Sequence, residues 1–294
     1  MKKKPSMTNS ENNEQSKTIH KCPLCKDDGV IPSIDKDGHE RYKVCSCVFK
    51  ESIETNSGRP EEFKDARFHN FSTDIYTNQK DQQLAIDAKK LMQIYVNQFE
   101  KIQQDQKGKG LYFFSPEPGS GKSRAAVTLA YELFEAGKIK FFKFLTFPAL
   151  LEKIKEGWNK ANPKSSEMIV KEFIHDKEFL IIDDIGTGQL SPKEMQYAWE
   201  IINGRMANNK ITIFTANYPI DKLPMLNFIE VVERRKLQDR IKKMVLEVRF
   251  PNEKIRAKIS EKENMDLLEQ LFNDISGEKD KKIYGPKDDP YQLK

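Results

Sequence analysis

Residues 116–123 read Pro-Glu-Pro-Gly-Ser-Gly-Lys-Ser, directly after the apolar run 110–115 and at the start of a helical pattern. A strand, a glycine-bearing turn and a helix N-terminus in that order form a phosphate cradle: unpaired main-chain N–H groups and the positive end of the helix dipole both favour an anion. Gly119, Ser120 and Gly121 bring their backbone around the phosphate oxygens, Lys122 reaches the β and γ phosphates, and the Ser123 hydroxyl ligates Mg²⁺. The expected ligand is ATP with Mg²⁺. One position departs from the GxxxxGK[ST] pattern. Pro116 stands where glycine is expected; it has no N–H and cannot take a positive φ, so the loop must leave its strand by another turn.

The second chemical feature is Asp183-Asp184, at the end of the short apolar run Phe179-Leu-Ile-Ile182. Such a run predicts a strand buried on both faces, with its carboxylates emerging at the C-terminal edge of a parallel sheet, where ligands sit. An isolated acidic pair is an ordinary turn former. Downstream of a phosphate loop it reads as Asp183 holding Mg²⁺ through its shell of water and Asp184 orienting or deprotonating the attacking water.

All four cysteines cluster as Cys22-Pro-Leu-Cys25 and, nineteen residues later, Cys45-Ser-Cys47. In a reducing compartment this spacing argues for a metal rather than disulfides, and a tetrahedral Zn²⁺ site needs two such ligand pairs. Residues 30–34 and 40–44 flank a turn at 35–38, which resembles a zinc-ribbon hairpin. Cys22, Cys25, Cys45 and Cys47 are the preferred ligand set, with His39 near enough in sequence to replace Cys45 or Cys47. So small a segment needs its metal to fold.

These features need a scaffold, and 294 residues with 37% hydrophobic content are enough for one large core and a small appendage. Fifty Lys and Arg against 45 Asp and Glu give +5, a mild bias toward polyanions. No apolar stretch approaches the roughly 18 residues of a membrane span, which predicts a soluble cytoplasmic protein. Residues 1–18 are too polar to bury a core and are expected to be disordered. A zinc module (19–58) ends in a turn-rich linker at 51–60. The nucleotide-binding domain then occupies 59–258, and a charged helix with a polar tail fills 259–294.

Within the large domain, Leu84, Ala88, Leu91, Tyr95, Phe99 and Ile102 predict one long amphipathic helix over 79–104. Strand 110–115, a helix from 122 stopped by Gly137, a strand over 138–145, helices over 147–157 and 164–175, and the acidic strand follow. Ser191-Pro192 is an N-cap with proline at the first helical position, opening a helix to 207. The next strand, 211–216, ends in Asn217. A helical stretch from about 228 carries Arg234, Arg235, Asp239 and Arg240, and a strand over 244–250 follows. Alternating strands and helices predict a three-layer α/β sandwich on a parallel sheet. Lys153, Lys155, Trp158 and Lys160 are a candidate single-stranded DNA surface, although Trp158 packing at a helix end explains that tryptophan as well.

In order, the phosphate loop, the Asp-Asp strand end, the strand ending Thr215-Ala-Asn217 and the helix with Asp239-Arg240-Ile241 resemble the AAA+ ATPases of the initiator and helicase-loader branch. DnaC/DnaI-type loaders are the nearest likeness. The segment 65–71 (Asp-Ala-Arg-Phe-His-Asn-Phe) and the cysteine module add to it, over about residues 20–258. The resemblance implies that Asn217 is sensor 1, bonding the γ-phosphate or the attacking water. It implies that Arg240 is an arginine finger reaching a neighbouring subunit's nucleotide, and that Arg256 is a looser match to sensor 2. It further implies self-association, single-stranded DNA and a replicative hexameric DNA helicase as partners, the last held by the zinc module. Two rival readings are a transposition helper ATPase and a zinc-dependent adaptor that binds nucleotide without turning it over.

Overall fold

The computed structural model describes residues 20–34, 36, 38–159, 164–188, 190–224 and 231–277. The disorder expected of residues 1–18, the start of the helix expected from 228, Lys160 and the end of the polar tail lie outside them. The chain divides into two compact units, Met1–Glu54 and Thr55–Lys294.

In the first unit, β1 (Val30–Ile34) and β2 (Glu40–Val44) form the expected antiparallel hairpin, with Val30 opposite Val44 and Ile34 opposite Glu40. The helix α1 (Ser46–Asn56) starts between the last two cysteines. Most of the stretch expected as a turn-rich linker is therefore helical, and irregular backbone begins only at Ser57.

In the second unit, β3 (Gly110–Phe114), β4 (Lys143–Thr146), β5 (Phe179–Asp183), β6 (Ile211–Ala216) and β7 (Val245–Arg249) form a five-stranded sheet in the order β4-β5-β6-β3-β7. All pairings are parallel. Central strands β5 and β6 are buried along their whole length, as an apolar run without alternation requires when helices cover both faces. The helices of this unit are α2 (Gln79–Asn97), α3 (Phe99–Asp105), α4 (Lys122–Glu135), α5 (Phe147–Glu156), α6 (Ser166–His175), α7 (Pro192–Ala207), α8 (Val231–Met244) and α9 (Ile255–Gly277), the last exposed from Arg256 to Phe272. The crossover from β3 leads to the far edge, and β7 lies on the other side of β3. The crossovers from β3 and β6 therefore lead to opposite sides, which opens a crevice at the carboxyl ends of these two strands.

Local chemistry sets the helix ends. Ser191 and Glu194 form a reciprocal capping box ahead of Pro192. Gly137, at φ +68°, stops α4, with the Lys138 N–H returning to the Leu133 carbonyl. The stretch after it differs from expectation: 138–142 is a connector that buries Ile139 and Phe142, and only 143–146 pairs as a strand. The helix expected over 79–104 breaks at Gln98 (φ −104°, ψ 16°) into α2 and α3. Its buried stripe runs through Asp81, Ala85, Ala88, Met92 and Tyr95, leaving Leu84 and Leu91 only half-buried. Asp81 belongs inside because its carboxylate accepts the Asn252 N–H (3.1 Å), tying α2 to the segment after β7.

Candidate functional site

The loop between β3 and α4 takes the conformation its glycines permit. Gly119 and Gly121 have φ of +72° and +98°. A Cβ at Gly121 would stand 3.0 Å from the Tyr76 hydroxyl, and one at Gly119 3.2 Å from the Arg256 Cβ, so both positions need glycine for conformation and for space. Ser115 resolves the departure at Pro116. Its hydroxyl accepts the Glu117 N–H (3.1 Å) and donates to the Pro251 carbonyl (2.6 Å), so a side chain makes the turn and anchors it to the chain beyond β7. The Tyr76 hydroxyl donates to the Ser120 carbonyl (2.8 Å) from behind. No side chain caps the N-terminus of α4, so its first amides remain the anion-binding end of the helix. The Lys122 ammonium is buried and donates to the Glu117 carbonyl (2.9 Å); burial holds its pKa below the ordinary lysine value.

The acidic pair splits into two environments. Asp183 is buried at the end of β5 and accepts from the Thr215 hydroxyl (2.6 Å). Burial raises its pKa to about 6; the Thr215 and Ser123 hydroxyls and the Lys122 ammonium oppose the rise, while neighbouring Asp184 adds to it. Asp184 has φ +54°, an uncommon conformation for a residue with a side chain, and lines the cleft. Its N–H donates to the Thr215 hydroxyl (2.9 Å), so one threonine on β6 grips both acids. Sequence reasoning took Thr215 only as part of a motif; a β-branched hydroxyl beside the acidic strand was the available signal. Ser115 and Tyr76 carried no sequence signal, since both act through distant backbone.

Lys122, Ser123, Asp184, Asn217 and Arg256 share one cleft of about 530 Å³ with the loop glycines. The Asn217 Oδ1 is buried there with no hydrogen-bond partner, an acceptor suited to a water or a protonated ligand atom. Arg256, in the first turn of α9, donates its N–H to the Gly119 carbonyl (3.0 Å) and places its guanidinium 3.9 Å from Glu62 across the cleft mouth. Phe63, Phe71 and Ile75 add an apolar wall of the kind a nucleobase needs. Phe71 belongs to the 65–71 segment, whose Asn70 takes a hydrogen bond from Arg124 (3.1 Å). Arg240 is not part of this cleft: its guanidinium lies 4.5 Å over the Trp199 ring. After α9 begins, a single helix and no bundle follows among the described residues.

Four sulfurs converge in the first unit, all within 4.8 Å of one another, with Cys22 to Cys45 at 3.7 Å and Cys25 to Cys47 at 3.5 Å. Tetrahedral zinc with bonds near 2.3 Å requires sulfur separations of roughly 3.8 Å, so the donor set fits the metal in number, type and spacing. The cluster contains the four cysteines and not His39. Backbone N–H groups of Cys25 and Leu24 lower the Cys22 thiol to about 7, and hydrogen bonding with Cys25 raises Cys47 to about 12. Zinc, when bound, takes all four as thiolates.

Of the residues expected to form a DNA surface, Lys153, Lys155 and Trp158 lie among the described residues. Lys155 pairs with Glu194 (3.0 Å), half-exposed Trp158 carries the Lys193 ammonium 4.8 Å from its ring, and Lys153 lines a separate basin with Lys143 and Lys177. Among the described residues, no helix is long and apolar enough to cross a membrane.

The parallel sheet, phosphate loop and acidic strand end define a P-loop NTPase fold. The fold is similar to that of the crystal structure of the DnaC helicase loader, at 21% identity and TM-score 0.50, over 65% of this chain and 99% of that one. DnaI aligns over 67% of this chain and 94% of its own at 19% identity and TM-score 0.49. AMPPCP-bound DnaA from Aquifex aeolicus aligns over 67% and 55% at 14% identity and TM-score 0.43. No family model matches the chain, and no curated protein matches it in sequence.

Proposed function

We propose that this chain is an ATP-dependent loader of a replicative DNA helicase, which binds and hydrolyses ATP as an oligomer and places the hexameric helicase on single-stranded DNA. The observation that carries the reading is the convergence of Lys122, Ser123, Asp184, Asn217 and Arg256 on one cleft, with Asp183 buried behind it. In this reading the amides of 119–123 and Lys122 hold the phosphates, and Ser123 and Asp183 would hold Mg²⁺. Asp184 orients the attacking water, Asn217 senses the γ-phosphate, and Arg256 closes the mouth. Magnesium, when bound, would supply Lewis-acid charge to the phosphates.

Arg240 lies outside the cleft of its own subunit, which supports an arginine delivered in trans to a neighbour. The fold likeness to DnaC supports the helicase as partner, and the zinc-fitting module offers a separate unit to hold it. The test immobilises the full chain and measures capture of a purified hexameric replicative helicase, together with ATP turnover with and without single-stranded DNA. Helicase capture and DNA-stimulated turnover are expected. Capture of a transposase instead, or nucleotide binding without turnover under every condition, overturns the loader reading.

A further inference from the structure

Arg240 sits on α8 between Leu237 and Ile241, both fully buried in the main core, so packing fixes its backbone while its guanidinium stays at the surface of that core. The guanidinium lies 4.5 Å above the ring of Trp199, a half-buried residue of α7 packed against the same core. Its Nη1 is buried with no hydrogen-bond partner, and among the described residues Arg240 forms no ion pair. Arg205, which is fully buried, behaves differently: it donates to Thr212 and to the carbonyls of Phe173, Lys177 and Ile211. A guanidinium with one nitrogen buried and no acceptor favours an anion arriving from outside, and an aromatic face orients it without neutralising it.

We propose that Trp199 is a positioning residue for hydrolysis: its indole face holds Arg240 extended and acceptor-free in one subunit, ready to meet the terminal phosphate held by a neighbouring copy of the chain. This rests on the trans-arginine reading above. A carboxylate at position 199 would neutralise the arginine; an aromatic ring presents it with its charge intact.

Mixed subunits separate the two ideas. Arg240→Ala subunits keep an intact cleft, and Lys122→Ala subunits keep the arginine; neither should turn over ATP alone, and their mixture should. Failure of that mixture overturns the trans reading and the present proposal with it. With complementation established, a Lys122→Ala donor that also carries Trp199→Leu should stimulate about tenfold less, in line with loss of a partly desolvated cation–π contact. A donor carrying Trp199→Phe should recover most of the stimulation. Affinity of the acceptor for a non-hydrolysable ATP analogue should be unchanged throughout. Full stimulation by the leucine donor, or a phenylalanine donor as weak as the leucine one, rejects the role of Trp199 while leaving the trans arginine standing. The chain has two tryptophans, Trp158 and Trp199, so a Trp158→Phe protein reports Trp199 alone. Adding Arg240→Ala should then shift the emission, independently of any folding defect in the leucine variant; unchanged emission rejects the contact itself.

Discussion

Replacing Asp183 with asparagine should stabilise the protein while disabling it. The carboxyl is buried, and its pKa rises from 3.8 to about 6 on folding. The sign follows from linkage: the folded state binds this proton more tightly, so the group costs nothing below its unfolded value, and the cost grows through the window from 3.8 to about 6 and is complete above it. Roughly two pKa units at 1.36 kcal/mol each set a ceiling of about 3 kcal/mol at neutral pH. Asparagine keeps an oxygen to accept from the Thr215 hydroxyl and loses the buried charge. For a unit of this size 1 kcal/mol corresponds to about 2–4 °C, so Asp183→Asn should raise the melting temperature at pH 8 by up to about 10 °C without nucleotide or metal. At pH 4 the two proteins should melt nearly together. Mg²⁺-dependent turnover should fall by about a hundredfold or more, since the metal loses its anionic support. Equal or lower stability of the variant at pH 8, or a gain that persists unchanged at pH 4, refutes the reasoning that this acid is held against its preference.

Thr215→Val removes the hydroxyl that grips both acids and should cost about 1–3 kcal/mol by leaving the Asp184 N–H without its acceptor, with turnover reduced at least tenfold; urea titration and a phosphate-release assay check both. Because the Thr215 bond lowers the pKa of Asp183, the same variant should move the acidic limb of its pH–rate profile upward. Arg256 is 66% exposed, so Arg256→Ala should change stability by less than about 0.5 kcal/mol yet weaken nucleotide binding several-fold; unaltered affinity removes it from the site. Zinc chelation or Cys45→Ser should unfold residues 20–54, read by amide exchange, while nucleotide binding by the second unit persists.

Much of this site was readable in the chain because it is built from local signals. Gly119, Gly121, Lys122 and Ser123 act through consecutive backbone; Cys22, Cys25, Cys45 and Cys47 through fixed spacing; and β5 and β6 are continuous apolar runs. What was not readable depends on distant partners. Ser115 makes the turn that Pro116 forbids by reaching Pro251, and Tyr76 braces Ser120 across a gap of 44 residues. Asp81 takes a place in a buried stripe that apolar periodicity gives to leucines, because its partner is the backbone of Asn252. Asn78, the N-cap of α2, also has a remote partner: Glu253 accepts from the N–H groups of Thr77 and Asn78 and pairs with Lys258. Burial of Glu253 raises its pKa, but these bonds outweigh it and bring the carboxyl down to about 2.

Whether nucleotide is held by the loop ahead of Lys122 is decided by equilibrium binding of a fluorescent, non-hydrolysable ATP analogue to the full chain, with and without Mg²⁺. Wild-type protein should bind in a magnesium-strengthened manner, and Lys122→Ala should lose affinity at least a hundredfold while keeping its circular dichroism spectrum. Equal affinity of the two proteins would mean that the nucleotide is not gripped where β3 meets α4.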